Sequence, residues 1–339
     1  MEFSSVEPRL STYLHAKACR DGTPLAGNFE LTARCNFDCK MCYVHLTAEE
    51  QQRRGRELTA DEWLAVAEDA RSRGMLFLLL TGGEPLIRPD FRYLLTELKK
   101  MGLLVSVNSN GSLIDKNWLD FFRHEPPFRF NITLYGGGNE TYQRLCGHPA
   151  FDRVTANIRA LKELGVDVKM NVSLTPYNAA DMKKIHAAAE ALGTPMQLAT
   201  YMFPPIRRSE DMVGQNDRFT AMQAAEYAVA WDKLRLEPEV FRKRADAMRQ
   251  GMALPQEEVC EGTPGEGVSC RAGRSAFWIN WQGDMTPCGM MTQPKFSVPQ
   301  LGFDEAWRLT KEALPPSGCR RRAPCVPASR CATSAPLCA

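Results

Sequence analysis

Three cysteines, Cys35, Cys39 and Cys42, fall within the segment Arg34-Cys-Asn-Phe-Asp-Cys-Lys-Met-Cys-Tyr43. Thiolates favour zinc and iron–sulfur centres, and cysteines spaced three and two residues apart let a short loop wrap one such centre. A structural zinc takes four ligands, and the next donor along the chain, His45, follows Cys42 so closely that it turns back awkwardly. A four-iron cube held by three thiolates instead keeps one iron open for a substrate or cofactor. A redox-active thiol pair is the remaining reading of the triplet.

A second group is Thr81-Gly82-Gly83-Glu84-Pro85. Glycines there admit a close approach to the backbone, and the Glu84 carboxylate complements an ammonium group, although the segment alone reads as a turn. Asn108, Ser109 and Asn110, then Thr133 with Tyr135, then Ser173 are further polar groups that serve either as ligand contacts or as turns and caps.

The elements that must carry these residues follow a repeated pattern. Short apolar runs near Phe29–Thr32, Leu76–Thr81, Leu103–Asn108, Arg129–Tyr135, Asp167–Leu174 and Met196–Met202 alternate with amphipathic stretches. That is the signature of parallel strands joined by crossover helices, and runs rich in Val, Leu and Ile predict strands buried on both faces. Gly74, Gly102, Gly165 and Gly193 each close a helical stretch just before a strand. Thr59-Ala-Asp-Glu62 predicts a capping box opening the helix Trp63–Arg73. Each polar motif therefore sits at a strand's carboxyl end, where parallel α/β folds place active sites.

Beyond Pro204 the pattern changes to two helical stretches, Thr220–Leu234 and Pro238–Met252. Residues Pro255–Ala339 are dense in Cys, Pro, Gly and Arg. One hairpin is expected there, Ser275–Asn280 with Asp284–Pro287, turning at Trp281-Gln-Gly283. Such a segment lacks the apolar mass for a core of its own and calls for cross-links or metal.

The 339 residues carry 42 Lys plus Arg against 40 Asp plus Glu, so the net charge of +2 gives no global pull toward nucleic acid or an anionic membrane. Arg207, Arg208, Arg242, Lys243 and Arg320 to Arg322 are the available basic residues, and such groups are usually solvated faces. No apolar run approaches the ~20 residues of a membrane span, and the first thirty residues lack a secretory pattern. The expectation is a soluble cytoplasmic protein, in which twelve cysteines point to metal rather than to disulfides. Cys19 and Cys146 stand apart from the other cysteines and read as core or surface residues, free cysteine commonly being a small buried hydrophobe.

Taken together, C-x3-C-x2-C after the first strand, the aromatic Tyr43 and Gly-Gly-Glu-Pro after the second resemble the radical S-adenosylmethionine (SAM) superfamily. The resemblance implies an α/β fold, a partial (β/α)6 barrel, with Cys35, Cys39 and Cys42 holding a [4Fe-4S] cluster. It implies that Gly82, Gly83, Glu84 and Pro85 meet the SAM amino group, with Asn108, Asn110, Thr133 and Ser173 as ribose, carboxylate or adenine contacts and Leu198–Thr200 near the adenine. Tyr135 stands where many such enzymes have aspartate. The implied reaction is reductive cleavage of SAM to a 5′-deoxyadenosyl radical that abstracts hydrogen from the substrate. It draws on an electron donor such as flavodoxin or ferredoxin.

Cys270, twelve residues, Gly283, four residues and Cys288 resemble the opening of the SPASM extension, which binds auxiliary [4Fe-4S] clusters, and Cys260 resembles an added ligand to the first of these. The remaining pattern departs. Cys325 and Cys331 keep one spacing, whereas Arg322 and Ala335 occupy expected cysteine positions and Cys319 and Cys338 lie three residues away from them. One auxiliary cluster is expected, the ligands of a second are broken, and the end is read as diverged or truncated. The implied organisation is an N-terminal segment 1–24, a core 25–210, a helical linker 211–255 and an auxiliary-cluster region 256–339. SPASM-type extensions accompany modification of peptides or proteins, so a peptide substrate leads. A small molecule such as a tetrapyrrole or nucleotide is the alternative, and a non-catalytic iron–sulfur or zinc redox sensor is a third reading. No motif ties an acid or base to the substrate.

Overall fold

The computed structural model describes residues 10–200, 202, 218–252 and 270–314. Helix α1 (Leu10–Asp21) precedes a strand–helix series. It runs β1 (Ala26–Glu30), α2 (Ala48–Arg54), α3 (Ala60–Ser72), β2 (Phe77–Thr81), α4 (Phe91–Lys100), β3 (Leu104–Ser109) and α5 (Lys116–His124). It continues through β4 (Arg129–Thr133), α6 (Asn139–Cys146), α7 (Phe151–Glu163), β5 (Val168–Ser173), α8 (Met182–Leu192) and β6 (Met196–Ala199). These six strands pair in parallel and in chain order, and the sheet stays open, as a partial barrel requires.

Local chemistry explains the elements. Thr59 and Glu62 exchange side-chain and backbone hydrogen bonds at the start of α3, and Trp63 on that helix packs on Phe29 of β1 at 4.7 Å between ring centroids. The four glycines before strands all take positive φ, from 52° at Gly193 to 104° at Gly74. That is the left-handed turn for which only glycine lacks a steric penalty.

Burial on both strand faces does not hold. Alternate residues, Leu78 and Leu80, Val105 and Val107, Phe130 and Ile132, Met170 and Val172, are buried under the helices. Because side chains alternate along a strand, the opposite set faces inward, and on β3, β4 and β5 that set is polar: Ser106 and Asn108, Asn131 and Thr133, Asn171 and Ser173. Buried Val and Leu at every second position had looked like a continuous apolar run.

After α9 (Ala221–Arg235) and α10 (Pro238–Met252), the described chain resumes with β7 (Ala276–Ile279), β8 (Asp284–Thr286) and β9 (Phe296–Ser297), then α11 (Val298–Leu301) and α12 (Phe303–Glu312). The expected hairpin is present, with Gly283 at φ 89° in its turn. Its place in the fold was not foreseen: β7 runs parallel to β1, with Asn28 opposite Trp278, and extends the main sheet. Phe277, Ile279, Met285, Phe303 and Trp307 join the same apolar core as Phe29 and Trp63. Residues 276–312 thus find their apolar mass in the barrel, and β1 gains a partner for what would be an open edge.

Candidate active site

The cysteine loop leaves the carboxyl end of β1 and is fixed by backbone pairing on two sides. Gly83 donates its N–H to Thr32 O at 2.7 Å and Glu84 donates to Arg34 O at 2.9 Å, so the Gly-Gly-Glu-Pro turn continues the β1–β2 pairing into the loop. A Cβ on Gly83 would lie 2.2 Å from Arg34 O, and one on Gly82 2.5 Å from Thr32 O. The glycines are therefore required first by this backbone crossing. On the other side, Asp38 and Lys40 donate their N–H groups to Cys146 O at 3.2 Å and Leu145 O at 3.0 Å, the last carbonyls of α6.

Glu84 is wholly buried, and both its oxygens are engaged. Leu86 N–H and the Ser109 hydroxyl donate to Oε1 at 3.1 and 2.9 Å, and Asn110 N–H donates to Oε2 at 2.8 Å. Burial pushes the carboxyl up to about 7, against these hydrogen bonds, which favour the ionised form. Asn110 in turn reaches the loop: its amide donates to Asn36 Oδ1 at 2.9 Å and lies 3.7 Å from Cys35 Sγ. Asn36 donates to Ser112 Oγ at 2.9 Å. Motif and loop thus form one hydrogen-bonded body.

A charged network that sequence reading missed supports it. Arg88, nearly inaccessible, donates to Leu31 O at 2.9 Å and Leu58 O at 3.1 Å and pairs with Asp90 and Glu57. Glu57 also accepts from Arg34 at 3.0 Å and from the Thr32 hydroxyl. Only the position of Arg88 three residues past Pro85 hinted at a role, because its partners lie on other loops.

Cys39 is buried and Cys35 and Cys42 are partly exposed. Cys35 Sγ accepts Phe37 N–H at 3.3 Å and Cys42 Sγ accepts His45 N–H at 3.2 Å. Burial first, and then the Glu84 carboxylate, push the Cys35 thiol up. The neighbouring Cys146 thiol, and then burial, push the Cys39 thiol up, against the Tyr135 phenol, which lowers it. Cys146 is thus a fourth thiol beside the loop, brought there by α6 from far along the chain. His45 turns to Asp38, its Nδ1 3.2 Å from Oδ1. Among the described residues no three His, Cys, Asp or Glu side chains converge on a point that a single metal ion would occupy. Three thiolates without a fourth ligand suit a cube with one iron left open better than a structural zinc ion, which takes four.

The other strand-end residues come to the same inner face. Asn108 and Asn131 are opposite each other, with Asn131 Nδ2 donating to Asn108 Oδ1 at 2.9 Å, and Thr133 is opposite Asn171. Ser173 pairs with Ala199, beside the partly buried Leu198. Buried Asn178 ties the ends of β4 and β5 together by donating to Tyr135 O at 3.0 Å and Ser173 O at 3.1 Å. Its only sequence signal was a position in the turn after Ser173.

Of the C-terminal cysteines, Cys270 and Cys288 are described and partly exposed. Cys260, Cys319, Cys325, Cys331 and Cys338 lie outside the described residues. The Tyr43 phenol is pushed up by loss of solvent and then by Cys42 and Cys288, so the end of the hairpin comes against the N-terminal loop. Trp281, in the hairpin turn, packs with Ala33, Val44 and Leu46 of that loop. Among the described residues no helix is long and apolar enough to cross a membrane.

Comparison with known proteins agrees with this architecture. Residues 29–189 match the radical SAM superfamily. An AdoMet-dependent heme synthase of Methanosarcina barkeri is 26% identical over 294 residues, covering 82% of this chain and 80% of the relative. A probable GTP 3′,8-cyclase of Pyrobaculum aerophilum is 29% identical over 173 residues, covering 50% of this chain and 54% of the relative. Streptococcus suis SuiB bound to its precursor peptide SuiA superposes with a TM-score of 0.62 at 16% identity, over 93% of this chain and 75% of that one. Native anSMEcpe with bound AdoMet gives 0.61 at 16% identity, over 85% and 82%. Enzymes of this superfamily use a [4Fe-4S] cluster and SAM. With the cysteine loop at the end of β1, the Gly-Gly-Glu-Pro turn at the end of β2 and the open parallel sheet that carries them, residues 29–189 of this chain are a radical SAM domain, and the chain is an enzyme.

Proposed function

We propose that Cys35, Cys39 and Cys42 hold the [4Fe-4S] cluster, that the inner ends of β2 to β5 receive SAM, and that the substrate is a peptide or protein. Bound there, cluster and SAM would supply reductive cleavage to a 5′-deoxyadenosyl radical that abstracts hydrogen from the substrate. The chain's own residues position and shield. Glu84, Asn110 and Asn36 fix the loop relative to the strand ends, and Gly82 to Pro85 present backbone groups beside the cysteines. Asn108, Thr133 and Ser173 offer neutral hydrogen-bonding groups for ribose and carboxylate.

The observation that carries the substrate class is the chemistry of the inner face. Asn108, Asn131, Asn171 and Gln197 place side-chain amides on neighbouring strands, each with donor and acceptor capacity matched to a peptide backbone. Of the cations on these strands, Arg129 is paired with Asp167 at 2.6 Å, and Lys169 donates to the neutral Gln197 side chain and keeps its charge. A polycarboxylate buried there would find Lys169 and need further cations of its own.

The second reading, a tetrapyrrole substrate, rests on the heme synthase relative, whose similarity spans most of both chains. The test is anaerobic reconstitution, reduction and addition of SAM with, in parallel, peptides, a tetrapyrrole carboxylate or GTP, reading 5′-deoxyadenosine and substrate mass. Peptide-dependent 5′-deoxyadenosine with a mass change supports the proposal. Stimulation by the tetrapyrrole or GTP alone overturns the substrate class, and a clustered protein that never yields 5′-deoxyadenosine overturns the whole reading.

A further inference from the structure

The amino ends of the strands, away from the cysteine loop, hold a second group of nucleophilic and titratable side chains. His15 and Cys19 stand four residues apart on α1, on the helix face that also buries Ala18. Both reach the hydroxyl of Ser275, the residue just before β7. His15 Nδ1 lies 3.3 Å from Ser275 Oγ, and Cys19 Sγ donates to the same oxygen at 3.2 Å. Ser275 is fully buried, His15 is buried and Cys19 is partly exposed. The backbone fixes the serine, because Ser275 N–H donates to Arg271 O at 3.0 Å and Ala26 N–H donates to Ser275 O at 2.9 Å. The imidazole is held in turn by stacking on Phe77 of β2, 5.8 Å between ring centroids at 17°. The three groups form one chain from a reachable sulfur to a covered base.

We propose that Cys19 is a modification site for small soft electrophiles, with Ser275 and His15 as the relay that takes the thiol proton. A serine hydroxyl has one proton to give. Accepting the S–H of Cys19, Ser275 turns its own proton to His15 Nδ1. Burial, and then the Arg271 guanidinium, push the imidazole below its ordinary value, so it is uncharged at neutral pH and able to accept. The step needs no oxidant or reductant. With an alkyl halide the sulfur forms the S–C bond, the carbon–halogen bond breaks and halide leaves with its electron pair. The thiol proton passes to Ser275 as the Ser275 proton passes to His15. The thiolate is the nucleophile in such reactions, and a base held in line supplies it at pH 7. The site stands independently of the cluster and SAM assignments.

The experiment is anaerobic alkylation of the reconstituted full chain by limiting iodoacetamide at pH 7, with the rate at Cys19 read by peptide mass spectrometry and Cys19→Ser as the assignment control. Wild-type Cys19 should react faster in the folded protein than in the same chain unfolded in denaturant, despite its partial cover. Ser275→Ala and His15→Asn should each slow it at least about tenfold, short of the ~10²–10⁴ of an optimised general base, while amide-hydrogen exchange shows α1 still docked. His15→Asn keeps a hydrogen-bond acceptor near the Nδ1 position but takes up no proton, so it separates a base from a structural clip. A clip gives the opposite sign, since a covered thiol reacts more slowly folded than unfolded and loosening its cover speeds it. A folded rate at or below the unfolded one overturns the proposal, as does an unchanged or faster rate in Ser275→Ala or His15→Asn with α1 docked. Where a variant loses α1, the folded and unfolded rates of the wild type decide.

Discussion

The two cysteine-bearing regions are built in opposite ways. The loop of Cys35, Cys39 and Cys42 is fastened by the Gly-Gly-Glu-Pro turn, by Asn110 and Asn36, by the Arg88–Glu57 network and by the end of α6. The hairpin carrying Cys288 is fastened as a piece of sheet, through β7 on β1 and through Phe277 and Trp307 in the core, and its cysteines sit at the rim. In the first region the hydrogen bonds converge on the cysteine loop. In the second they serve the fold, and the cysteines follow from it.

The largest effect expected from this contrast separates Cys35→Ala from Cys288→Ala. Removing Cys35 should abolish SAM cleavage and the SAM-responsive iron signal, whereas Cys288→Ala should keep 5′-deoxyadenosine formation within about tenfold of wild type, the lower range of outer-shell effects. Reconstitution followed by quantification of 5′-deoxyadenosine decides it, and equal losses in the two variants would break the comparison. Next is Arg88→Met. It leaves Leu31 O, Leu58 O and Asp90 without their buried donor while Glu57 keeps Arg34, at a cost of ~1–3 kcal/mol for unsatisfied buried groups. Denaturant unfolding of the metal-free protein measures this, and a change below ~1 kcal/mol would show that the network is surface-like.

How far the sequence could be read follows the same division. The cysteine loop, the Gly-Gly-Glu-Pro turn and the strand ends were legible as positions because each is a run of consecutive residues at the end of one strand. Glu84 and Asn110 follow the ends of β2 and β3, and Ser173 ends β5. Cys146 was read as a core or surface thiol and is buried in the core, but nothing in the sequence around it shows that α6 ends against the backbone on both sides of Cys39. Asn178, Glu57 and Arg88 were missed for the same reason, each acting through partners on another loop. The β7–β1 pairing escaped because a parallel contact between strands some 250 residues apart leaves no local periodicity; Asn28 and Trp278 are opposite only in space.

A smaller effect tests why the glycines are there. If Gly83 serves the crossing with Arg34 rather than access by a ligand, Gly83→Ala should destabilise even the metal-free protein, because its Cβ would meet a backbone carbonyl at 2.2 Å that cannot swing aside. A cost of ~1–3 kcal/mol is expected for such overpacking, read as a lower denaturation midpoint. If stability is unchanged and only SAM affinity falls, the glycine is there for the ligand.

The smallest effect concerns the outermost link of the loop. Ser112 receives the Asn36 amide at 2.9 Å while donating to Asn110 Oδ1 at 2.7 Å, so it joins the two asparagines that face Cys35 without touching any cysteine itself. Ser112→Ala removes one acceptor and one donor from a buried triangle. The expected cost is ~1–3 kcal/mol, that of leaving a buried polar group unsatisfied. Because Asn110 lies 3.7 Å from Cys35 Sγ, part of that cost should surface as weaker cluster retention, seen as faster iron release to a chelator. The corresponding change on the hairpin, Lys295→Ala, loses only an exposed pair with Asp284 and should alter neither stability nor iron release measurably. Equal sensitivity of iron release in these two variants would mean that the fastening around Cys35 is general packing, not support directed at the cluster loop.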